Sequence, residues 1–352
     1  MRTPSLWIVA ALGALCLAGP AGAGVAELPE MRLRVVGGLA GIDQFTRYEV
    51  PFWTQRVKER SGGRISADIA PFDRSGLRGN DMLRLLSLGV VQFGTLLVSL
   101  ATEDPELAAA DLPLLSPDFA ALRRGIEAYR PVLRRFLRET YKLELLAIYS
   151  YPAQVIYCRQ PFGGLGDLEG RRVRTSGVAQ SELVEALGAV PVITPFADIV
   201  VAIERDVVDC AITGTSSGNS IGLHEVTTHI HDLAVTWGLS VFAANGDAWE
   251  GMAPAVRDFL SAEIAGLEAE IWRAAERGTE EGLACNTGAA GCPHGRVGRM
   301  VRVRRTDADV RLARALLSST VLPGWIRRCG DSCADAWNGS LGPLLSIPAR
   351  GE

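Results

Sequence analysis

The sequence predicts an α/β protein built as two lobes, and three observations carry that expectation. Short strands alternate with segments of helical apolar spacing over residues 33–97 and again over 166–215. Two extended apolar runs, LELLAIYSYPAQVIY at 143–157 and LAVTWGLSVFAAN at 233–245, flank the second block as crossings between lobes would. The stretch 254–277 sets Val256, Leu260, Ile264, Leu267 and Ile271 on one stripe, which makes a long helix across the back of both lobes.

Residues 33–36 read as the first strand. Gly37, Gly38 and Gly41 follow as a loop that can bring backbone N–H groups close to a ligand. Residues 46–61 carry Val50, Trp53 and Val57 on one helix face, and Gly62-Gly63 ends them. A strand at 64–70, a loop at 73–79, a helix at 80–89 and a strand at 90–97 complete the first block. The crossing at 143–157 is interrupted by Pro152. Beyond it come a turn at Gly170, a strand at 172–175 and a helix at 179–187. A strand at 190–193, a helix at 196–205 and a third strand at 208–212 close the second block. Strands joined through helices imply parallel sheets, with the ligand crevice outside their carboxyl ends. The crossings assign 24–148 and 240–275 to lobe I. Lobe II takes 149–239 and 276–352, with a cysteine-containing C-terminal extension.

Composition narrows the function. A chain of 352 residues, 48% hydrophobic and 22% charged, is globular and long enough for two lobes. Its net charge is −4, and of 36 basic residues only Lys58 and Lys142 are lysines. No basic run is long enough for a nucleic-acid tail, so nucleic acid is not an expected partner. The first 23 residues combine Arg2, the apolar core LWIVAALGALCLAG and the small-residue site Ala21-Gly22-Ala23, the makings of an export signal. The mature protein is expected outside the cytoplasm.

Export changes how the cysteines are read. Cys16 leaves with the leader, and the even remainder in an oxidising compartment favours disulfides. CNTGAAGC and CGDSC suggest local loops, Cys285 to Cys292 and Cys329 to Cys333. Cys158 and Cys210 both fall on strands of lobe II, and their pairing requires Cα atoms within about 7 Å. Six cysteines allow about fifteen pairings, so spacing expresses a preference only.

Other chemistry finds little support. GGLAG lacks the GxGxxG spacing and the GK[ST] ending, which removes dinucleotide and P-loop readings and leaves no expected cofactor. His224, His229 and His231 have no HExxH spacing and read as part of the loop after the third strand, so no metal is expected. No GxSxG elbow occurs, and TGTSSGNS has no paired base. Asn338-Gly339-Ser340 is a weak glycosylation signal.

One segment is more specific. The pattern runs from the DLEG turn at 167–170 through Arg172 and Arg174 to LGAVPVITPFAD at 187–198 and VVDCAIT at 207–213. It resembles the extracytoplasmic solute receptors of TRAP transporters, of the dicarboxylate-receptor type. LRVVGGLAG, VKERSGGRISADIAPF, LSLGVVQFGT, DLPLLSPDF and the tract from Asn245 to Ala275 follow in the family's order, so the resemblance covers roughly 33–280. It implies the two-lobe periplasmic-binding-protein fold with hinge strands. It also implies capture of a small organic acid and delivery to TRAP transporter membrane subunits, with no covalent chemistry. Arg174 then falls at the family's carboxylate-gripping arginine. A guanidinium suits that role because its planar fork donates two parallel bonds to a carboxylate. Thr213 falls where the family often has a polar ligand contact. Gln154, Tyr151 and Tyr157 on the crossing strand, Asn80, Gly38 and Trp237 complete the candidate set. Ala153 and Gln154 stand where some relatives carry a second arginine. A ligand-sensing partner of a membrane signalling receptor, or an enzyme using the same cleft, are the other classes such a fold serves.

Overall fold

The computed structural model describes residues 28–75, 81–101 and 103–349. The expected leader at 1–23, Cys16 within it and Asn80 lie outside the described residues. In chain order the strands are β1 (Met31–Gly37), β2 (Ile65–Pro71), β3 (Phe93–Leu97), β4 (Leu143–Ser150), β5 (Gln154–Cys158), β6 (Arg172–Thr175), β7 (Val190–Ile193), β8 (Cys210–Gly214), β9 (His229–His231), β10 (Leu239–Asn245) and β11 (Val301–Val303). They form two sheets, ordered β2-β1-β3-β10-β4 and β11-β9-β5-β8-β6-β7.

The sheets are mixed, where strand–helix alternation predicts parallel ones. β1 is parallel to β2 and β3, and β6 to β7 and β8. β10 runs against β3 and β4, and β5 against β8 and β9. The two reversed strands are those arriving from the other half of the molecule. Each enters at the edge where its parallel neighbours end, so it must run back through the sheet: Ser240 opposite Leu97, and Gln154 opposite Gly214.

The crossings lie at 151–153, from β4 to β5, and at 232–238, from β9 to β10. They bind each other. Gln154 N donates to Thr236 O at 2.8 Å, Val235 N to Gln154 O at 2.8 Å and Tyr151 N to Gly238 O at 3.1 Å. The half-buried Asp111 carboxylate then accepts from the backbone N–H groups of Trp237, Gly238 and Leu239 at 2.9, 3.3 and 3.1 Å. Burial raises the Asp111 carboxyl to about 6 even though these three donors pull it down. The return crossing is thereby fixed to the turn at Pro105–Asp111.

The long helix covers Pro254–Thr287, ten residues beyond the expected end, and stops where Gly288 adopts φ +71°. It touches both halves. Trp272 Nε1 donates to Ile148 O at 2.7 Å and Glu268 accepts from Ile148 N at 3.1 Å, while Thr279 Oγ1 accepts from Ala153 N at 3.1 Å. Gly282 lets the helix Thr215–Ser220 lie directly against it, since a Cβ there would sit 2.4 Å from Ser216 N.

A 23-residue helix, Phe119–Tyr141, has no counterpart in the elements predicted from sequence. Its signals are nevertheless local. Asp118 caps it by accepting from Ala121 N at 2.7 Å, Leu122, Ile126, Tyr129, Leu133 and Leu137 form its buried stripe, and Lys142 ends it at φ 56°. The first helix is also less regular than its spacing predicts. Pro51 has no N–H to donate, and wide i to i+5 turns at Gln44–Glu49 and Phe52–Arg56 surround it before Val57–Arg60.

The histidine segment is not a loop: His224 lies on the short helix Leu223–Val226, and His229 and His231 on strand β9 between β5 and β11. All three cysteine pairs are disulfides: Cys158–Cys210, Cys285–Cys292 and Cys329–Cys333, with Cα separations of 4.1, 4.7 and 5.7 Å. The first joins residues directly opposite each other in β5 and β8. After β11, which extends the second sheet, the C-terminal helices lie against both halves. Trp325 Nε1 donates to Pro105 O at 2.7 Å on one side, and Arg328 pairs with Glu182 of the helix Val178–Ala186 on the other.

Candidate binding site

β6 is flanked by β7 and β8, both parallel to it, so three carboxyl ends converge where Arg174 stands. Arg172, two residues earlier on the same strand, is a useful control. Its guanidinium donates to Asp209 through Nε at 3.0 Å and Nη2 at 2.7 Å, and that partner holds the Asp209 carboxyl below its ordinary range. Arg174 is 4% exposed, yet its bonds go only to backbone: Nε to Thr194 O at 2.9 Å and Nη1 to Ile212 O at 2.7 Å. Nη2 makes no hydrogen bond among the described residues. Burial pulls the guanidinium down to about 10, and no acidic side chain acts on it to raise it again. The group stays protonated at neutral pH and carries a buried charge without a counter-ion. An uncompensated buried ion costs several kcal/mol. An anion donated from outside the chain removes that cost.

The facing edge belongs to the first sheet. Gly38 N donates to Glu49 Oε2 at 2.7 Å and Gln44 Nε2 to Glu49 Oε1 at 2.7 Å. Glu49 is 1% exposed, and desolvation raises its carboxyl to about 7 against the pull of those two donors. Gly37 and Gly38 permit this approach, because a Cβ on Gly37 would lie 2.4 Å from Glu49 Oε2. The halves meet at the rim, where Ser220 Oγ donates to Gly41 O at 3.2 Å and Gly41 faces the Phe196 ring. A cavity of about 350 Å3 runs between them, walled by Gln44, Tyr151, Pro152, Ser216, Gly278 and the segment 293–296 held by the Cys285–Cys292 disulfide. A smaller cavity of about 60 Å3 is lined by Ser99, Asp111, Gln154, Gln180, Thr236 and Trp325. Arg174 lies on the wall of neither.

The predicted candidates separate into three groups. In the first, Tyr151 and Gln154 each line one of the two cavities, while Arg174 and Thr213 lie buried near the carboxyl ends of β6 and β8 and line neither. Gln154 Oε1 accepts from Gln180 Nε2 at 2.9 Å and Thr236 Oγ1 at 3.1 Å, which leaves its amide donors free. Thr213 is 3% exposed and its hydroxyl bonds to nothing among the described residues. Tyr151 is 7% exposed and its hydroxyl has no partner. A second group has its capacity engaged within the fold. Tyr157 donates to Thr215 O at 2.9 Å and accepts from Asn286 at 3.0 Å, pinning β5 to the long helix. Trp237 donates to Ser116 O at 2.9 Å and packs edge-on against Phe119. The N–H of Gly38 points at Glu49 rather than into open space. Asn80 falls in the undescribed stretch. Sequence reasoning missed Glu49, Gln180, Ser240 and Asp111. A lone acid inside an amphipathic helix gives no local sign that it will be buried.

Comparison with known proteins bears on this geometry. A model of the bacterial extracellular solute-binding protein family 7 matches residues 43–286. The chain belongs to that family. Among solved structures it is similar to an extracytoplasmic solute receptor of Bordetella pertussis that binds pyroglutamic acid, at 21% identity and TM-score 0.75, over 88% of this chain and 99% of that one. A TRAP periplasmic solute-binding protein from Shewanella oneidensis with bound succinate is 17% identical at TM-score 0.74, over 88% and 98% of the two chains. Likeness at these identities fixes the fold. A curated relative, the outer membrane transporter protein TsaT of Comamonas testosteroni, is 24% identical over 225 residues, 61% of this chain and 64% of that protein. The match therefore spans less than two thirds of that relative's length. As a solute-binding protein, the chain works outside the cytoplasm.

Proposed function

We propose that this solute-binding protein captures a small organic anion through a carboxylate seated on Arg174 and delivers it to the membrane subunits of a TRAP-type transporter. The observation that carries the reading is the buried guanidinium with two backbone acceptors and no acid, two residues from an arginine that has one. The ligands named for structurally similar receptors, pyroglutamate, succinate and L-malate, are all carboxylates, which agrees with it. The lobes in this reading are 24–148 with 240–275 and 149–239 with 276–352, and the leader at 1–23 is removed on export. Binding and release need only changes at 151–154 and 235–239, where the crossings pair, with the Gly41–Ser220 contact opening and closing at the rim. No covalent step is required of any residue in the cleft.

The mature protein is tested by thermal shift against a panel of carboxylates, alongside Arg174→Met. A ligand at about 100 times its Kd stabilises the folded state by about 2.7 kcal/mol, which raises the melting point by several degrees. The variant is expected to lose that shift. An equal shift in both proteins removes Arg174 from the site.

A further inference from the structure

Seven buried side-chain oxygen or nitrogen atoms among the described residues have no hydrogen-bond partner, and five of them share one place: Gln44 Oε1, Thr95 Oγ1, Tyr149 OH, Tyr151 OH and Ser240 Oγ. The residues that bear them are each 7% exposed or less. Register explains the clustering. Ser240 stands opposite Tyr149, and Thr95 stands opposite Phe242, two residues along β10 and therefore on the same face. The irregular helix carrying Gln44 and Glu49 lies over that face, and the charge of Glu49 reaches the hydroxyls of both Tyr149 and Tyr151. Tyr151 OH faces Ser240 and Gln44 without closing a bond of ordinary geometry to either. Leaving one such atom unmatched costs about 1–3 kcal/mol, so five together are not tolerated by an idle core.

We propose that this chamber is a second recognition pocket, which takes a hydrogen-bond donor, a hydroxyl or protonated amine, carried on the solute whose carboxylate Arg174 holds. The inference rests on the carboxylate reading and adds the chemistry of the other end. Its basis is the balance of donors and acceptors. Glu49 offers two oxygens with one donor each, Gln44 Oε1 can only accept, and the hydroxyls can turn either way. A donor entering there finds acceptors on every side and a carboxylate at the centre. Gln44 and Tyr151 also wall the cavity of about 350 Å3 between the halves, so a solute held there meets the two outer residues of the chamber. The chamber sits where β1 ends and β10 begins, on the edge facing the one that carries Arg174.

Matched acids decide the matter. Calorimetric titration of the mature protein with succinate, L-malate and L-aspartate, and with propionate, L-lactate and L-alanine, compares solutes that differ by one hydroxyl or one ammonium group. At least one donor-bearing member is expected to bind about tenfold tighter than its bare parent, corresponding to one good hydrogen bond to a charged acceptor. Glu49→Gln and Tyr151→Phe, each checked for an unchanged cooperative melt, are expected to bring that ratio close to one. Hydroxyl preference without ammonium preference identifies the donor as neutral, and the reverse as cationic. Equal binding of parent and substituted acids, or a preference that survives both variants, means the chamber holds water only and overturns the proposal while the Arg174 site stands. Absence of binding by every acid overturns the carboxylate reading and the chamber with it.

Discussion

Across the cleft, the edge of the second sheet carries a buried cation and the edge of the first carries a buried acid, and the protein neutralises neither. Among the described residues, Arg174 has two carbonyls and no carboxylate, and Glu49 has two donors and no cation. Exposed charges in the same chain are treated differently. Arg32 finds Asp68, Arg172 finds Asp209 and Arg296 finds Glu225, although water alone would have satisfied them. Counter-ions are thus supplied where they matter least and withheld where desolvation makes them matter most.

The comparison is broken most severely by replacing the cation. Arg174→Met is expected to weaken carboxylate binding by about 30-fold or more, since removing one member of a buried ion pair costs about 2–5 kcal/mol. Its ligand-free melting point should stay within about 3 °C of the parent, because a buried unpaired charge leaves with the side chain. A collapse of stability instead would make Arg174 a structural brace.

Glu49 sharpens the comparison through pH. Its folded carboxyl titrates at about 7 and the unfolded one at 4.5, so its contribution to stability is full below the unfolded value and is lost as pH rises through 7. Integrated over that window the loss is about 3 kcal/mol. Asp111, raised to about 6 from 3.8, loses its contribution over a lower window. Urea denaturation at pH 5 and pH 8 should therefore show a smaller drop for Glu49→Gln than for the parent; identical slopes would mean the carboxylate is already neutralised. Tyr157→Phe probes a residue behind the cleft. It should lower stability by about 1–3 kcal/mol through the orphaned Thr215 and Asn286 groups and leave solute affinity within threefold. Thr213→Val is expected to have the smallest effect, a loss of about three- to tenfold in affinity with an unchanged melt, read by the same titration.

The strands bounding the cleft were legible because their signals are local. β6 and β7 fall on the residues predicted, since DLEG turns and the VPVI run leave little choice. The reversed strands were not, because direction within a sheet is decided by where a chain enters from the other half, and no window around Gln154 or Leu239 records that. Arg174 is singled out in the sequence only by the surrounding motif, and its burial was not legible, for an arginine alone gives no hint of it. Tyr157 and Trp237 were over-read. An aromatic with a polar tip looks the same in sequence whether that tip meets a ligand or, as here, Thr215 O and Ser116 O. Glu49 went unseen for the opposite reason, since its neighbours in space come from β1, β4 and β10.

The C-terminal helices join the halves beside the crossings, where Trp325 and Arg328 line the cavity of about 60 Å3 together with Gln154 and Thr236. Trp325 holds the turn beside β3 and Arg328 holds the helix that follows β6, so one short segment is tied to both halves. A substitution anywhere along this tail is therefore felt in both halves at once.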